Sequence, residues 1–590
     1  MINKMISSAG RGSSVLHIDK DQDNYGIGES LTFHGDAEDN IAIGENALNS
    51  TSGAAADNNI GIGTNALTSN QTGTKNICLG TRAGTTLVSG GSNVAIGYQA
   101  FDAAGVGESH NIAIGTDAMG AVDEGDNGLA DGNIAIGYES LRGGDYADAS
   151  AQSLLGNIAI GYESLKDTST EPQTGTIAIG HKALTALTSG AGNTAIGYLA
   201  LTTEDEGSKN TAIGYQALTA QNNDNSQNTA VGYNAGLAIS SAYLNTLIGC
   251  EAGDELTTGI SNTVVGARAL NAADGSEAYN VAIGTDCMSS VDNDSSVDNI
   301  GIGVDALTGG TGALIGCIAI GKNALNGTTT QAQTGTIAIG HDALTALTSG
   351  AGNVAIGYTA LDELTTGNYN TALGYAALHQ MDSGEEHMTA VGYNAGDAAD
   401  GNTTCTFIGS QTDPNTTGTD NETVIGYNTT GAGGSNTVTL GNASVTDVYM
   451  ASDGAAEVHC GTLAVGHGTG STAGSGCLVE IGDVSTGAGG MLIKRMTIDE
   501  DVATTFFTTP GNQEWAGIVE ITAVATDDVN RSSYFLARFS YDETFTTIID
   551  SNQNTTTTLS MSGNDMQITM TGAGSSDFRL VIRLMGSEES

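Results

Sequence analysis

The sequence predicts an all-β protein whose larger part is a β-solenoid built from a short repeat. Three observations carry this. The nine residues NIAIGYESL stand at 133–141 and again at 157–165, with unrelated sequence between them. A looser form of the same pattern recurs along most of the chain. After residue 500 the composition changes, and that change marks a separate domain.

The looser pattern is an Asn, a β-branched residue, a small residue, Ile/Val/Leu and Gly, often followed by Tyr and then Ala-Leu. It occurs 23 times between Gly44 and Gly441, at a mean spacing of about 18 residues, within the range of short solenoid repeats. Gly44, Gly97, Gly137, Gly161, Gly214 and Gly357 are typical of its glycines. The residue three before each glycine is Ile, Val or Thr, and the one just before is Ile, Val or Leu. Positions two apart share one face of a strand. Each copy therefore reads as a three-residue strand with a branched face and a small-residue face, the latter usually Ala, as at Ala42, Ala95 and Ala135. The glycine ends the strand and lets the backbone turn. A single turn cannot bury its own apolar face, whereas stacked turns can. The branched residues are expected to supply that core, at about 1.5–3 kcal/mol per buried Ile. With strands about 4.8 Å apart, 23 turns would make a rod of roughly 110 Å.

A larger block is also repeated. QTGTIAIGHKALTALTSGAGNTAIGYLAL (173–201) returns at 333–361 with only three changes, Lys182/Asp342, Thr194/Val354 and Leu199/Thr359. A rod tolerates copying of whole turns because each turn touches only its neighbours. An enzyme with one site would gain little from it, so the block favours a spacer.

Four segments follow: an N-terminal segment (1–38), the repeat rod (39–441), a Gly/Ser/Thr-rich, β-rich neck (442–490) and a C-terminal domain (491–590). Six of the nine Phe residues and the only Trp lie beyond residue 500, and Lys and Arg return at Lys494 after a gap from 323 to 493. Alternating runs such as GIVEITAVAT (517–526) and SYFLARFSY (533–541) suit a β-sandwich of jelly-roll type. Large aromatics and Arg are favoured at binding hot spots. Trp515, Tyr534, Tyr541 and Arg531 are therefore candidate receptor-binding residues, though a sandwich core uses the same types. The loop segments 527–532 and 550–555 are equal candidates.

The formal net charge is −49. A solvated acidic surface that keeps rods apart is the plain reading; divalent cations are the alternative, without an EF-hand or GGxGxD pattern to place them. The sign disfavours nucleic acid as a partner. Seven scattered cysteines form no disulfide framework, and Cys78 and Cys287 stand where other copies have Ala. They read as small buried hydrophobes, compatible with assembly in a reducing cytoplasm. No Sec signal and no run of 18 apolar residues is seen.

No HExxH, GxSxG or Walker pattern is present, so no catalytic residue, metal ligand or cofactor is assigned. His459-Cys460 in the neck is a weak metal suggestion. Tyr follows the repeat glycine ten times, with His181 and His341 at the same position. These should stack into an aromatic ladder along the rod, with a sugar-binding strip as the alternative.

The NxAIG pattern, as in NVAIG (93–97) and NTAIG (210–214), resembles the head repeats of trimeric autotransporter adhesins. Those heads are left-handed parallel β-rolls of three chains packed side by side. The resemblance implies a homotrimer, with the small Ala face suited to close packing between chains. The repeats here are longer, and neither a secretory signal nor a membrane anchor is visible. Similar rolls occur in phage tail fibres, where segments that look like NTVTLGNASVTDVYMASDGAAEVHC (436–460) close the roll. The resemblance therefore implies a phage tail fibre, assembled in the host cytoplasm. Its N-terminal segment would join the virion tail, baseplate or another fibre protein, and its tip would bind a host surface glycan or protein. A bacterial surface adhesin is the alternative, and a tailspike that degrades polysaccharide is a further one.

Overall fold

The nine residues Asn157–Leu165 show how one turn is built. In the computed structural model, Ile158–Ile160 is a strand lying parallel and in register between Ile134–Ile136 and Ile177–Ile179. Ala159 is wholly buried, while Ile158 and Ile160 face outward and are partly exposed. Gly161 then takes φ 141°, and a Cβ there would lie 2.2 Å from the carbonyl oxygen of Gly180 on the next turn. Glycine is thus required twice over, for its φ and for the close approach of two backbones. The same approach recurs at Gly44, Gly97, Gly137, Gly214 and Gly357. Tyr162 points outward. Ser164 is buried, and its hydroxyl donates to the Gly161 carbonyl at 3.2 Å. Glu163 and Leu165 both adopt left-handed backbone, at φ 52° and 48°. A left-handed residue costs about 1–2 kcal/mol. Complete burial of the Leu165 side chain, worth about 1.5–3 kcal/mol, offsets it.

Copies of this unit stack into one continuous sheet of 25 strands, from Val15–Asp19 to Val438–Leu440. Every repeat glycine from Gly44 to Gly441 closes a strand of it. The sheet starts before the first repeat, with a hairpin of Val15–Asp19 and Asn24–Gly28 whose second strand pairs in parallel with Ile41–Ile43. Shorter parallel ladders form elsewhere on the coil, as in Leu129–Asp131, Ser153–Leu155 and Gln173–Thr174. No helix occurs among the described residues.

The facing of the strands reverses the expectation. The sequence pattern put the branched residues in the core, and the resemblance suited the alanines to contact between chains. Instead the middle residue of the strand points inward, with Ala42, Ala95, Ala135, Ala178 and Ala212 all fully buried. The branched residues form the outer surface, in a buried-middle pattern repeated along the sheet. The reason is space. The turn sends Leu inward as well, at Leu141, Leu165, Leu184 and Leu201, so only a small residue fits beside it. Where the middle residue is large, the turn gives way. At Gly236 and Gly253, a Cβ would lie 2.7 and 3.0 Å from Leu247, and at Gly396 it would lie 2.8 Å from Phe407.

The asparagines that begin each copy form a second, buried ladder. From Asn24 through Asn40, Asn59, Asn76, Asn93, Asn111 and Asn133 to Asn157, each side-chain oxygen accepts the backbone N–H of the next. The amide nitrogens mostly donate to the loop carbonyl of the turn above, as Asn111 does to Ala130 at 2.6 Å and Asn133 to Leu154 at 2.7 Å. A second run links Asn193 to Asn299. Each asparagine satisfies backbone groups that the corner of the coil would otherwise bury without partners.

The chain divides into two compact units, Met1–Val448 and Tyr449–Ser590. The structure describes residues 15–445, apart from 20–21, 32, 34–36, 50–55, 123–128, 144–152, 169–172, 225 and 328–329, together with residue 448 and the backbone of nine strands between 478 and 588. Those nine strands make two antiparallel sheets. One has six strands, in the order Leu478–Ile481, Gly490–Ile498, Phe578–Glu588, Trp515–Ala525, Ser532–Phe539 and Phe545–Asn552. The other has three, in the order Thr504–Thr508, Asp565–Gly572 and Thr555–Ser562.

Candidate interaction face

The outward surface of the long sheet carries two parallel rows of branched side chains. Ile41 and Ile43, Ile77 and Leu79, Ile136, Ile213, Ile248, Ile283, Ile302, Leu373, Ile408 and Ile425 all stand between 36% and 45% exposed. In-register pairing places each of them against its counterpart on the next turn, as Ile134–Ile158–Ile177 and Ile136–Ile160–Ile179. Thr takes the first position of the strand from Thr194 to Thr263 and again from Thr371 to Thr423, so one row is partly hydroxylated. The largest exposed apolar patch on a typical monomer is about 300–600 Å², and contiguous apolar surface beyond that marks an interaction site. Here partly exposed Ile, Val and Leu recur on turn after turn of one sheet.

An aromatic ladder follows the same sheet, one residue beyond the repeat glycine. Tyr138, Tyr162, His181, Tyr198, Tyr215 and Tyr233 stack ring on ring with centroids 5.1–5.3 Å apart. His341, Tyr358, Tyr375 and Tyr393 repeat the arrangement. His181 and His341 are ladder members, as their position suggested. The spacing follows from the strand separation, and each offset pair adds about 0.5–1.5 kcal/mol beyond its buried area.

The next position carries charge on some turns, as at Glu139, Glu163, Lys182, Arg268 and Asp286. Lys166 reaches Glu139 at 2.6 Å and Glu163 at 3.7 Å, and Lys182 reaches Glu163 at 3.3 Å. Arg268 grips Asp286 with two bonds, at 2.7 and 2.8 Å. The Lys166 hydrogen bond holds the Glu139 carboxyl below its usual range, and bonding to Glu139 pushes the Tyr138 hydroxyl up. Apart from Lys166–Glu163, which lies within one turn, these pairs tie one turn to the next on the solvated side, where solvent screening keeps their contribution small.

Cys78, Cys287, Cys317 and Cys405 are buried free thiols and Cys250 is exposed. Burial pushes the Cys78 and Cys287 thiols up to about 12, so they act as small apolar groups. Of the residues expected to contact a receptor, Trp515 opens the strand Trp515–Ala525 opposite Glu588, and Tyr534 lies in Ser532–Phe539 opposite Thr522 and Ser551. Arg531 and Tyr541 lie outside the described residues, as do His459 and Cys460. Sequence reasoning missed the outward branched stripe and the buried Asn ladder. Glu204 and Glu385 lie between strands, and both are buried.

No known family matches this chain. Comparison with curated proteins and with solved structures likewise gives no match.

Proposed function

We propose that the chain is a homotrimeric tail fibre of a bacteriophage, a structural and adhesive protein rather than an enzyme. The observation that carries the reading is the outer row of Ile, Val and Leu that runs from Ile43 to Leu440, beside a second row of Ile, Val and Thr. A stripe of this length needs a cover with the same repeat along the same axis, and a second and third copy of the chain supply one. Three stripes meeting at a common axis would bury the branched residues. The aromatic and charged ladders would then flank the junction. The rod would serve as a spacer, and the C-terminal unit would bind a host surface glycan or protein. Three linked sites turn weak single contacts into firm attachment. The N-terminal residues would join the virion. Free thiols throughout the rod favour assembly in a reducing compartment, the host cytoplasm, over export as a surface adhesin.

Two experiments test this. Light scattering on the purified chain should give three times the 59.3 kDa chain mass; a monomer would sink the trimer. Antibodies to the chain should label virion tails in electron micrographs. Labelling of uninfected cell surfaces instead would replace the fibre with an adhesin.

A further inference from the structure

Two places on the solenoid bring three carboxylates together from successive turns. One oxygen each from Asp274, Glu277 and Asp292 lies within 4.8 Å of the others, and Asp382, Glu385 and Asp400 form a second group of the same kind. The spacing is the same in both. The first Asp precedes the Glu by three residues, and the second Asp follows it by 15 (277 to 292, 385 to 400). The clusters stand six repeats apart, from Gly284 to Gly392.

The glutamates separate these clusters from ordinary surface acid. Glu277 is fully buried; its Oε2 accepts the Gly275 N–H at 3.2 Å, and its Oε1 has no hydrogen-bond partner. Glu385 is 2% exposed; its Oε1 accepts the Gly401 N–H at 3.0 Å, and its Oε2 has no partner. Burial, reinforced by the nearby Asp294 charge, pushes the Glu277 carboxyl above its usual range. By contrast, Glu204 is equally buried but has no such cluster. Its Oε1 accepts the Gly207 N–H at 2.7 Å and its Oε2 the Asn210 amide at 3.4 Å. A buried carboxylate oxygen with nothing to bond, beside two further carboxylates, is costly unless a cation joins them.

We propose that Asp274–Glu277–Asp292 and Asp382–Glu385–Asp400 are two binding sites for a divalent cation of calcium size, each pinning one turn of the solenoid to the next. The donors are all oxygen, which selects hard cations. Calcium accepts irregular sets of carboxylate oxygens at about 2.3–2.6 Å, whereas magnesium demands a near-ideal octahedron at about 2.1 Å and gives up its waters reluctantly. Three side chains leave room for water and carbonyl oxygens to complete a shell of about six to eight.

The test is calorimetric titration of the chelator-stripped full-length chain with calcium chloride and with magnesium chloride. Calcium should saturate at two ions per chain, with affinities of about 10⁻⁴–10⁻³ M, as in extracellular modules. Asp292→Asn and Asp400→Asn change exposed side chains. Each should remove one ion, and the double variant both. In Glu277→Gln/Glu385→Gln, the ion-free chain should melt higher than the wild type and gain nothing from calcium. The sites are refuted if no saturable binding appears by about 10 mM, tenfold above that range. Unchanged binding in the Asp292→Asn/Asp400→Asn variant would mean diffuse attraction to the net charge of −49. Magnesium binding as tightly as calcium would overturn the choice of ion.

Discussion

Asn157 donates its backbone N–H to the side-chain oxygen of Asn133 at 2.9 Å, and its own side-chain oxygen accepts the N–H of Thr176 at 2.9 Å. One residue thereby connects three turns. Asn157→Ala would leave the buried Thr176 N–H and Gln173 carbonyl short of partners, at about 1–3 kcal/mol per orphaned group. A loss of about 2–4 kcal/mol in local stability is expected. Hydrogen exchange should show it as lost protection over roughly 134–196, with distant turns unaffected. Uniform loss along the solenoid, or none, would count against the ladder.

Two glycine substitutions separate strain from collision. Gly156 has φ 64° and nothing within 4 Å of an added Cβ, whereas Gly161 would place its Cβ 2.2 Å from the Gly180 carbonyl oxygen. Gly156→Ala should cost about 1 kcal/mol. Gly161→Ala should part the sheet at that turn and open it to limited proteolysis. If the two variants resist protease equally, the close stacking of turns is not what selects the glycine.

The outward stripe makes opposite predictions for neighbouring residues. Ile213 is 36% exposed while Ala212 is fully buried. Ile213→Asp should leave the circular dichroism of the solenoid intact and lower the solution mass toward one chain. Ala212→Asp should unfold the turn, since an unpaired charge buried in the core costs several kcal/mol. A trimer that survives Ile213→Asp, together with Ile179→Asp and Ile248→Asp, would exclude this face as the contact.

Acid should stabilise the solenoid. Burial, with the charges of Glu251 and Glu255 beside it, raises the Asp254 carboxyl from 3.8 to about 6. The folded state therefore holds that proton more tightly than the unfolded one. The contribution is complete below 3.8 and is lost as pH rises through about 6. Burial likewise raises Glu204 and Asp413. The melting temperature should fall from about pH 4 to about pH 7, and Asp254→Asn should flatten part of that slope. A variant profile parallel to the wild type would remove Asp254 from the explanation.

The strands, the glycines and the aromatic ladder were legible because each leaves a strict one-dimensional mark. Period two fixes Ile158 and Ile160 on one face and Ala159 on the other. It does not say which face is inside. That depends on the width of the coil, set by where Leu165 points, and Leu165 points inward only because it adopts a left-handed backbone that sequence alone does not announce. The usual rule that larger apolar residues lie inside therefore gave the wrong side. The carboxylate clusters escaped notice for a related reason. Asp274 and Asp292 are 18 residues apart in sequence yet adjacent across one turn, a relation visible only once the length of that turn is known.

The hydrogen bonds joining the turns, such as Ile158 N–H to the Thr176 carbonyl at 2.9 Å and Gly161 N–H to the Ile136 carbonyl at 2.8 Å, run along the stacking direction. A pull in that direction loads one layer at a time rather than shearing many together. A released layer of about 18 residues pays out roughly 60 Å of extended chain, against about 4.8 Å when stacked. Under sudden tension the coil would behave as a shock absorber, yielding length in discrete steps while the layers on either side keep their grip.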